Sequence, residues 1–280
     1  MIDLHCHSTF SDGSLTPEQL VDLACTIPLS ALALTDHDTM AGIPRFLAAA
    51  KGRPIVPIPG VELSVDLPNG GSMHMLGYGL DPENPALLRQ MEWIRDGRTA
   101  RNREILRKLN ELGFAMTAEE VAAAAGEGVV GRPHFAQVMI QKGYAKNKDE
   151  VFDKWLGDDC PACANRPHLD APTAIRLVHD AGGIAVLAHP FTLHYGKAAM
   201  NATLDSLAAA GLDGVECHYT EHSPSQTRDY LEFAAARHLL VTGGSDFHGV
   251  ASPGISLGTG FGSLRVPDDL LPPLLARLHR

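Results

Sequence analysis

The chain has 280 residues, 45% of them hydrophobic, and 33 acidic against 23 basic side chains give a formal net charge of −10. That length can bury a large core, as one α/β domain or two smaller ones. The acidic balance disfavours a general nucleic-acid binder, which needs a broad basic surface, and no run approaches the ~20 apolar residues of a membrane span. The cysteines (Cys6, Cys25, Cys160, Cys163, Cys217) are scattered and odd in number, which argues for reduced thiols. MIDLHCH at the start shows neither a basic n-region nor an apolar h-region, so a cytoplasmic protein is expected.

In chain order, MIDLHCH starts a strand, and residues 17–25 form a helix, with Thr16 as N-cap, Pro17 first in the helix and Gln19 completing a capping box. LSALALTDHDT (29–39), RPIVPIPGVEL (53–63) and SMHMLGYGL (72–80) read as strands. Helices are predicted at 84–111, 117–125, 133–142 and 147–156, with no clear strand among them. Helices at 171–181, 200–210 and 224–238 then separate the strands GIAVLAHP (183–190), LDGVECHY (212–219) and LLVTGGSDFHG (239–249). Strands alternating with helices imply an α/β fold with a mainly parallel sheet, open or closed into a barrel. Residues 1–83 and 166–280 would form that framework, and 84–165 a helical insertion able to act as a lid. The CPAC at 160–163 lacks a second pair and a preceding strand, so no zinc or redox role is assigned to it.

Polar residues gather at the strand ends. Side chains at i and i+2 share one face of a strand, so His5 and His7 project together while Cys6 points away. Asp3 shares their side and could orient a ligand. Asp12 follows, then His37 between Asp36 and Asp38, Glu62 after IVPIPGV, His74 in the fourth strand, His189 after GIAVLA, and Asp246 with His248. In parallel α/β folds the carboxyl strand ends converge on one face, where sites are built. Six imidazoles and three carboxylates there suit Zn, Mn or Fe and exceed the needs of one ion. Two or three ions sharing Glu62 as a bridge fit better. Any one of these histidines alone reads as an ordinary core or surface residue; the joint pattern does not, because buried unpaired polar groups cost roughly 1–3 kcal/mol each.

HCH with Asp12, TDHDT, GVEL, AHP and GSDFHG, in that order, resemble the successive motifs of the PHP (polymerase and histidinol phosphatase) family, across residues 1–80 and 166–250. The resemblance implies a distorted seven-stranded (β/α) barrel, amidohydrolase-like, with two or three divalent ions, most naturally Mn, with Zn or Fe as alternatives. It implies His5, His7, Glu62 and Asp246 around one ion, Glu62, His74 and His189 around a second, and Asp12, His37 and His248 around a third; Asp12 stands where some relatives carry His. GRPHFAQ (131–137) resembles a subgroup of stand-alone phosphoesterases that act on nucleoside 3′,5′-bisphosphates or degrade short RNA from the 5′ end. There Arg132 and His134 would reach the substrate phosphate.

The chemistry agrees with that reading. Three divalent ions would outweigh Asp12, Glu62 and Asp246 and leave a positive pocket in an acidic protein, suited to a phosphate monoester. Such ions stabilise an in-line displacement and lower the pKa of a bridging water to make the nucleophile. No GxSxG elbow or P-loop is present. Arg132 offers a bidentate fork to phosphate, its plainer reading being a surface arginine before a helix. His134 could bind phosphate or protonate the leaving oxygen. Asp246 joins them in the expected catalytic set. Asp36 and Asp38 could fix an imidazole tautomer or simply build a turn. Arg95, Arg98 and Arg101 read as a solvated helix face or as a basic edge steering nucleotides. Glu216, His218 and His222 are expected to line the pocket wall without binding metal, and His179 and His194 to be ordinary.

The expected activity is removal of the 3′-phosphate from nucleoside 3′,5′-bisphosphates. The alternatives are 5′→3′ exonuclease action on short RNA, histidinol-phosphate hydrolysis, or a non-catalytic metal-binding module. The expected partner is a small phosphorylated nucleotide or short RNA, with no membrane and no obligate protein.

Overall fold

The computed structural model describes residues 1–67, 71–126, 130–157, 159–165 and 168–278. Strands β1 (Ile2–Asp3), β2 (Ala31–Leu34), β3 (Val56–Asp66), β4 (Ser72–Tyr78), β5 (Leu169–Asp170), β6 (Ile184–Leu187), β7 (Gly214–Tyr219) and β8 (Leu240–Gly244) form one sheet. Seven of them run in the order β1-β2-β3-β4-β6-β7-β8, and β5 pairs with β3 beside that path. The two ends of the path meet. Leu4 N–H donates to the Gly243 carbonyl at 3.0 Å, Asp246 N–H to the His5 carbonyl at 2.9 Å, and His7 N–H to the Phe247 carbonyl at 3.0 Å. The result is the expected barrel-like α/β fold.

The sheet is parallel except around β4, which runs antiparallel to both β3 and β6. The reason is chain length. Only residues 67–71 lie between β3 and β4, too few for the crossover of a dozen or more residues that a parallel return requires.

Helices α1 (Pro17–Ala24) and α2 (Ile43–Ala50) follow the first two strands, and α7 (Ala171–Asp180), α8 (Lys197–Ala209), α9 (Pro224–Ala236) and α10 (Leu271–Leu278) the later ones. The Thr16 capping box forms as read, with Gln19 N–H donating to Thr16 Oγ1 and Thr16 N–H to Gln19 Oε1. The sequence reading named no helix at α2: IPRFLAAA has too little polar punctuation to show a period, yet Phe46 seats it by full burial, a contribution of roughly 2 kcal/mol. Inside the barrel, Ala31, Ala33, Ile58, Leu76, Val186 and Ala188 pack with Tyr78, Val266 and Leu274 of α10. Tyr78 Oη donates to the Leu4 carbonyl, which satisfies its one buried polar atom.

The chain divides into two compact units, residues 1–89 with 168–280, and residues 90–167. The second contains most of α3 (Pro85–Glu111), with α4 (Ala118–Ala125), α5 (Arg132–Gln141), α6 (Lys148–Val151) and a π-helical turn at Phe152–Leu156 that continues α6. It has its own apolar core of Ile105, Leu109, Phe135, Met139, Val151 and Leu156. Thr117 caps α4 in a capping box with Glu120.

Candidate metal centre

The unit of residues 1–89 and 168–280 brings all nine predicted ligand positions together. The carboxylate of Glu62 is the hub. Its Oε2 lies 2.9 Å from His37 Nδ1, 3.2 Å from His7 Nε2 and 3.4 Å from His5 Nε2; its Oε1 lies 2.8 Å from His74 Nδ1 and 2.9 Å from His189 Nε2. Asp246 Oδ1 sits 3.1 Å from His7 Nε2 and 3.3 Å from His5 Nε2. Asp12 lies 3.2 Å from His248 Nε2 and 3.7 Å from His37 Nε2.

Each position has a local cause. Glu62 lies within β3, not at its end, because β3 continues past the barrel mouth to pair with β4. His74 reaches the cluster because β4 runs backwards: its register opposite Ser64 puts the start of β4 beside the Glu62 end of β3. Asp246 and His189 occupy the left-handed region (φ +55° and +23°), as does Asp38 (φ +52°). Non-glycine residues are uncommon there, and such strain collects at functional sites. Gly244 clears the way, since a Cβ there would meet His5 Cβ at 2.4 Å.

The donor set fits divalent cations. His5 Nε2, His7 Nε2, His37 Nδ1, Glu62 Oε2, Asp12 Oδ1 and Asp246 Oδ1 are buried and make no hydrogen bond of proper geometry, though they face one another. Buried polar atoms are otherwise nearly always satisfied; these present lone pairs to common points. Three groups of donor atoms are close enough to share an ion: His5, His7, Glu62 and Asp246; His37, Glu62 and His74; and His7, Asp12, His37 and His248. His189 belongs to none of the three, though its Nε2 lies 2.9 Å from Glu62 Oε1 and 3.4 Å from His74 Nδ1. The grouping differs from the sequence expectation in that His37 stands with Glu62 and His74 where His189 was expected, and His7 and His37 each belong to two groups.

Without cations, protons must balance the charge. Burial disfavours the charged form of His7, but the carboxylates of Asp246 and Glu62 outweigh it and push the imidazole up to about 10. His5 is likewise raised well above its ordinary value, against its burial, by Glu216, Asp246 and Glu62. Burial would raise Asp12, Glu62 and Asp246, yet the surrounding imidazoles hold all three well below the usual carboxylate range. At His74 burial wins over Glu62 and lowers the pKa. Cations would displace these protons, since metal ligands must be deprotonated.

The supporting acids behave differently from the sequence reading. Among the described residues, Asp36 and Asp38 hold backbone N–H groups and serine hydroxyls and not an imidazole. Asp36 accepts from Ser8 N–H at 2.7 Å and the Ser8 and Ser11 hydroxyls at 2.7 and 2.6 Å, pinning the loop that carries Asp12. Asp38 accepts from Ser64 N–H at 3.0 Å and ties β2 to β3. Asp3 takes Ser245 N–H at 2.9 Å, the Ser245 hydroxyl at 2.5 Å and Gly258 N–H at 2.7 Å, and so anchors the segment that carries Asp246. All three carboxylates hold backbone in place.

Glu216, expected only to line the pocket wall, is tied to two donor-bearing segments, and Tyr219 was missed altogether. Glu216 of β7 is fully buried, with Oε1 3.0 Å from His5 Nδ1 and Oε2 2.7 Å from His189 N. Tyr219 Oη donates to Asp246 Oδ2 at 2.8 Å. The signal for Glu216 was available: a charged residue inside the apolar strand LDGVECHY needs a buried partner. His222 packs against Tyr219 and Tyr230 (ring centroids 5.2 and 4.8 Å apart), and His218 is half-buried nearby in sequence; neither joins the donor cluster. His179 pairs with Asp213 at 2.7 Å, and His194 sits in a left-handed turn.

The other predicted residues lie in the unit of residues 90–167. Arg132 opens α5, with its guanidinium 3.3 Å from the Leu156 carbonyl and 5.8 Å from the Phe152 ring centre. His134 is buried and its Nδ1 accepts from Gly131 N–H at 2.9 Å, so its proton sits on Nε2. Arg98 and Arg101 are only 8% exposed, which rules out the solvated face read from sequence; Arg95 is half-buried.

The PHP domain matches residues 3–156 of the chain. A 5′-3′ exoribonuclease of Haemophilus influenzae is 36% identical over 249 residues, covering 88% of this chain and 89% of that one. A 3′,5′-nucleoside bisphosphate phosphatase of Chromobacterium violaceum is 33% identical over 258 residues, covering 92% and 90%. The chain belongs to the PHP family. A solved amidohydrolase of Chromobacterium violaceum, with bound sulfate and no metal, superposes with a TM-score of 0.88 at 32% identity, covering 99% of this chain and 96% of that one. The chain is a metal-dependent phosphoesterase of the PHP family, with a His/Asp/Glu cluster able to hold the metals. No helix among the described residues is long and apolar enough to cross a membrane.

Proposed function

We propose that this PHP phosphoesterase removes the 3′-phosphate from nucleoside 3′,5′-bisphosphates, giving the nucleoside 5′-monophosphate and phosphate. The observation that carries the reading is the Glu62-centred cluster: each carboxylate oxygen serves a different set of imidazoles, the arrangement a bridging carboxylate needs. The 33% identity to a 3′,5′-nucleoside bisphosphate phosphatase over 92% of the chain supports the substrate class. In this reading His5, His7, Glu62 and Asp246 hold one ion, Glu62, His74 and His189 a second, and Asp12, His37 and His248 a third, with His7 and His37 between sites. Mn suits the mixed imidazole and carboxylate donors, with Zn or Fe as competitors. Two or three such ions supply a nucleophilic water at neutral pH and neutralise charge on the phosphoryl group.

The chain's own residues set up that chemistry. Glu62 joins the ligand groups at fixed spacing. Asp3, Asp36 and Asp38 hold the ligand-bearing segments rigid through backbone hydrogen bonds. Tyr219 donates to Asp246 Oδ2 and leaves Oδ1 for the cluster. Arg132 and His134 are proposed to bind the phosphate of the nucleotide, Arg132 by its bidentate fork and His134 through Nε2–H, which can also protonate the leaving oxygen. The expected substrates are small phosphorylated nucleotides of the cytoplasm.

A second reading is 5′→3′ exonuclease action on short RNA, favoured by the 36% identical exoribonuclease. Phosphate and nucleotide release from a panel of 3′,5′-bisphosphates, histidinol phosphate and 5′-phosphorylated oligoribonucleotides, with Mn2+ added, tests both. The bisphosphates should turn over fastest. Comparable rates on long oligomers would move the assignment to the exonuclease, and no turnover of any phosphate ester with metal loaded would leave a binding module.

A further inference from the structure

Glu216 is the one fully buried carboxylate on β7, a strand that supplies none of the nine donor residues. Its two oxygens face two different donor-bearing segments: Oε1 is 3.0 Å from His5 Nδ1, and Oε2 accepts the His189 backbone N–H at 2.7 Å. His5 Nε2, the other ring nitrogen, points at Glu62 Oε2 and Asp246 Oδ1 at 3.4 and 3.3 Å and has no hydrogen bond. We propose that Glu216 is a positioning residue that keeps the proton of His5 on Nδ1 and so reserves Nε2 as a cation ligand, while locking the His189 backbone to the same carboxylate. The inference rests on the metal-centre reading.

An amide in place of the carboxylate shows why charge and not shape matters here. The His189 N–H can only donate, so the oxygen of a glutamine at 216 must turn toward it. The amide NH2 then faces His5 Nδ1, which must accept. His5 is thereby driven to the Nε2–H tautomer, and the nitrogen facing Glu62 and Asp246 loses its lone pair. Glu216→Gln is nearly isosteric, so it removes a ligand without emptying the core. Partners of metal-binding histidines typically change affinity by about 10- to 100-fold when altered.

The test has two arms on the whole protein. In the first, Mn2+ is titrated into metal-stripped wild type and Glu216→Gln, with free Mn2+ read by EPR and folding followed by the thermal midpoint of the stripped proteins. The variant should fold and bind its tightest Mn2+ about 10- to 100-fold more weakly. Equal affinity in a folded variant overturns the proposal. In the second, 15N–1H spectra of Zn2+-loaded wild type are recorded. A protonated Nδ1 with a metal-bound Nε2 on His5 is expected, and coordination through Nδ1 overturns the proposal even if the variant fails to fold. Wild type that binds neither ion sinks the metal centre itself, an outcome that substrate assays are not needed to recognise.

Discussion

The unit of residues 1–89 and 168–280 buries Asp3, His5, His7, Asp36, Asp38, Glu62 and Glu216 almost completely, whereas the unit of residues 90–167 keeps Glu104, Glu111 and Glu120 at its surface, paired with Arg107 and Lys142. Both have apolar cores of the ordinary kind. In the first, the buried acids are matched donor for donor: some hold backbone N–H groups and the rest face imidazoles. In the second, Glu120 completes a helix cap and Glu104, Glu111 and Glu150 form exposed pairs, each worth little. The buried acids inside the barrel are therefore retained for what they hold in position, while the surface carboxylates Glu104, Glu111 and Glu120 of the helical unit tune local stability.

The largest effect should separate the two kinds of acid. Glu62→Gln removes charge from the group that approaches five imidazoles. Turnover of a generic aryl phosphate with Mn2+ should fall about a thousandfold or more, by analogy with losing a main electrostatic stabiliser. A fall of less than tenfold would mean that Glu62 is no bridge.

Next is the pH response of the metal-stripped protein. His7 is raised to about 10 from 6.5, so its contribution to stability is complete below ~6.5 and is lost as pH rises toward 10. Asp12, Glu62 and Asp246 are lowered, so theirs is present above ~4 and is lost as pH falls through their folded values. The thermal midpoint in chelator should peak at ~pH 5–6 and decline toward pH 10. The extra stability from saturating Mn2+ should grow over the same interval, because cations displace protons. A chelated protein that becomes more stable from pH 7 to 10 would contradict this balance.

A smaller effect is expected from Arg132→Ala. Loss of a charge-assisted phosphate contact should lower kcat/KM for a nucleoside bisphosphate by about 10- to 100-fold. The thermal midpoint should shift far less. Unfolding would show that the guanidinium serves the Leu156 carbonyl and the Phe152 ring instead. The smallest effect belongs to the helical unit's surface. Thr117→Ala removes the α4 cap and should cost about 1 kcal/mol of stability by denaturant titration, with Mn2+ affinity unchanged.

Much of the site was legible because its residues lie in short motifs at strand ends. HCH, TDHDT, GVEL, AHP and GSDFHG put donors at places where strand periodicity fixes the side-chain direction, and those nine side chains do converge. The misses have a common cause. The apolar strand around Glu216 shows that it needs a buried partner, but no local pattern says that Glu216 and Tyr219 act on His5 and Asp246, donors distant in the chain. Arg98 and Arg101 read as solvated because helical spacing shows which residues share a face and not what covers that face. The antiparallel β4 could have been foreseen from the short β3–β4 connection.

By itself, then, the amino-acid order determined the alternation of strands and helices, the helix caps and the kinds of donor atom available, because these follow from backbone geometry and side-chain chemistry within a few residues. Only the tertiary structure decided which lone pairs face one another, that Glu62 stands among five imidazoles, and that Asp3, Asp36 and Asp38 hold backbone while Glu216 holds a ring. Those outcomes depend on the register between strands far apart in sequence and on burial, which strengthens each charge pairing by excluding water.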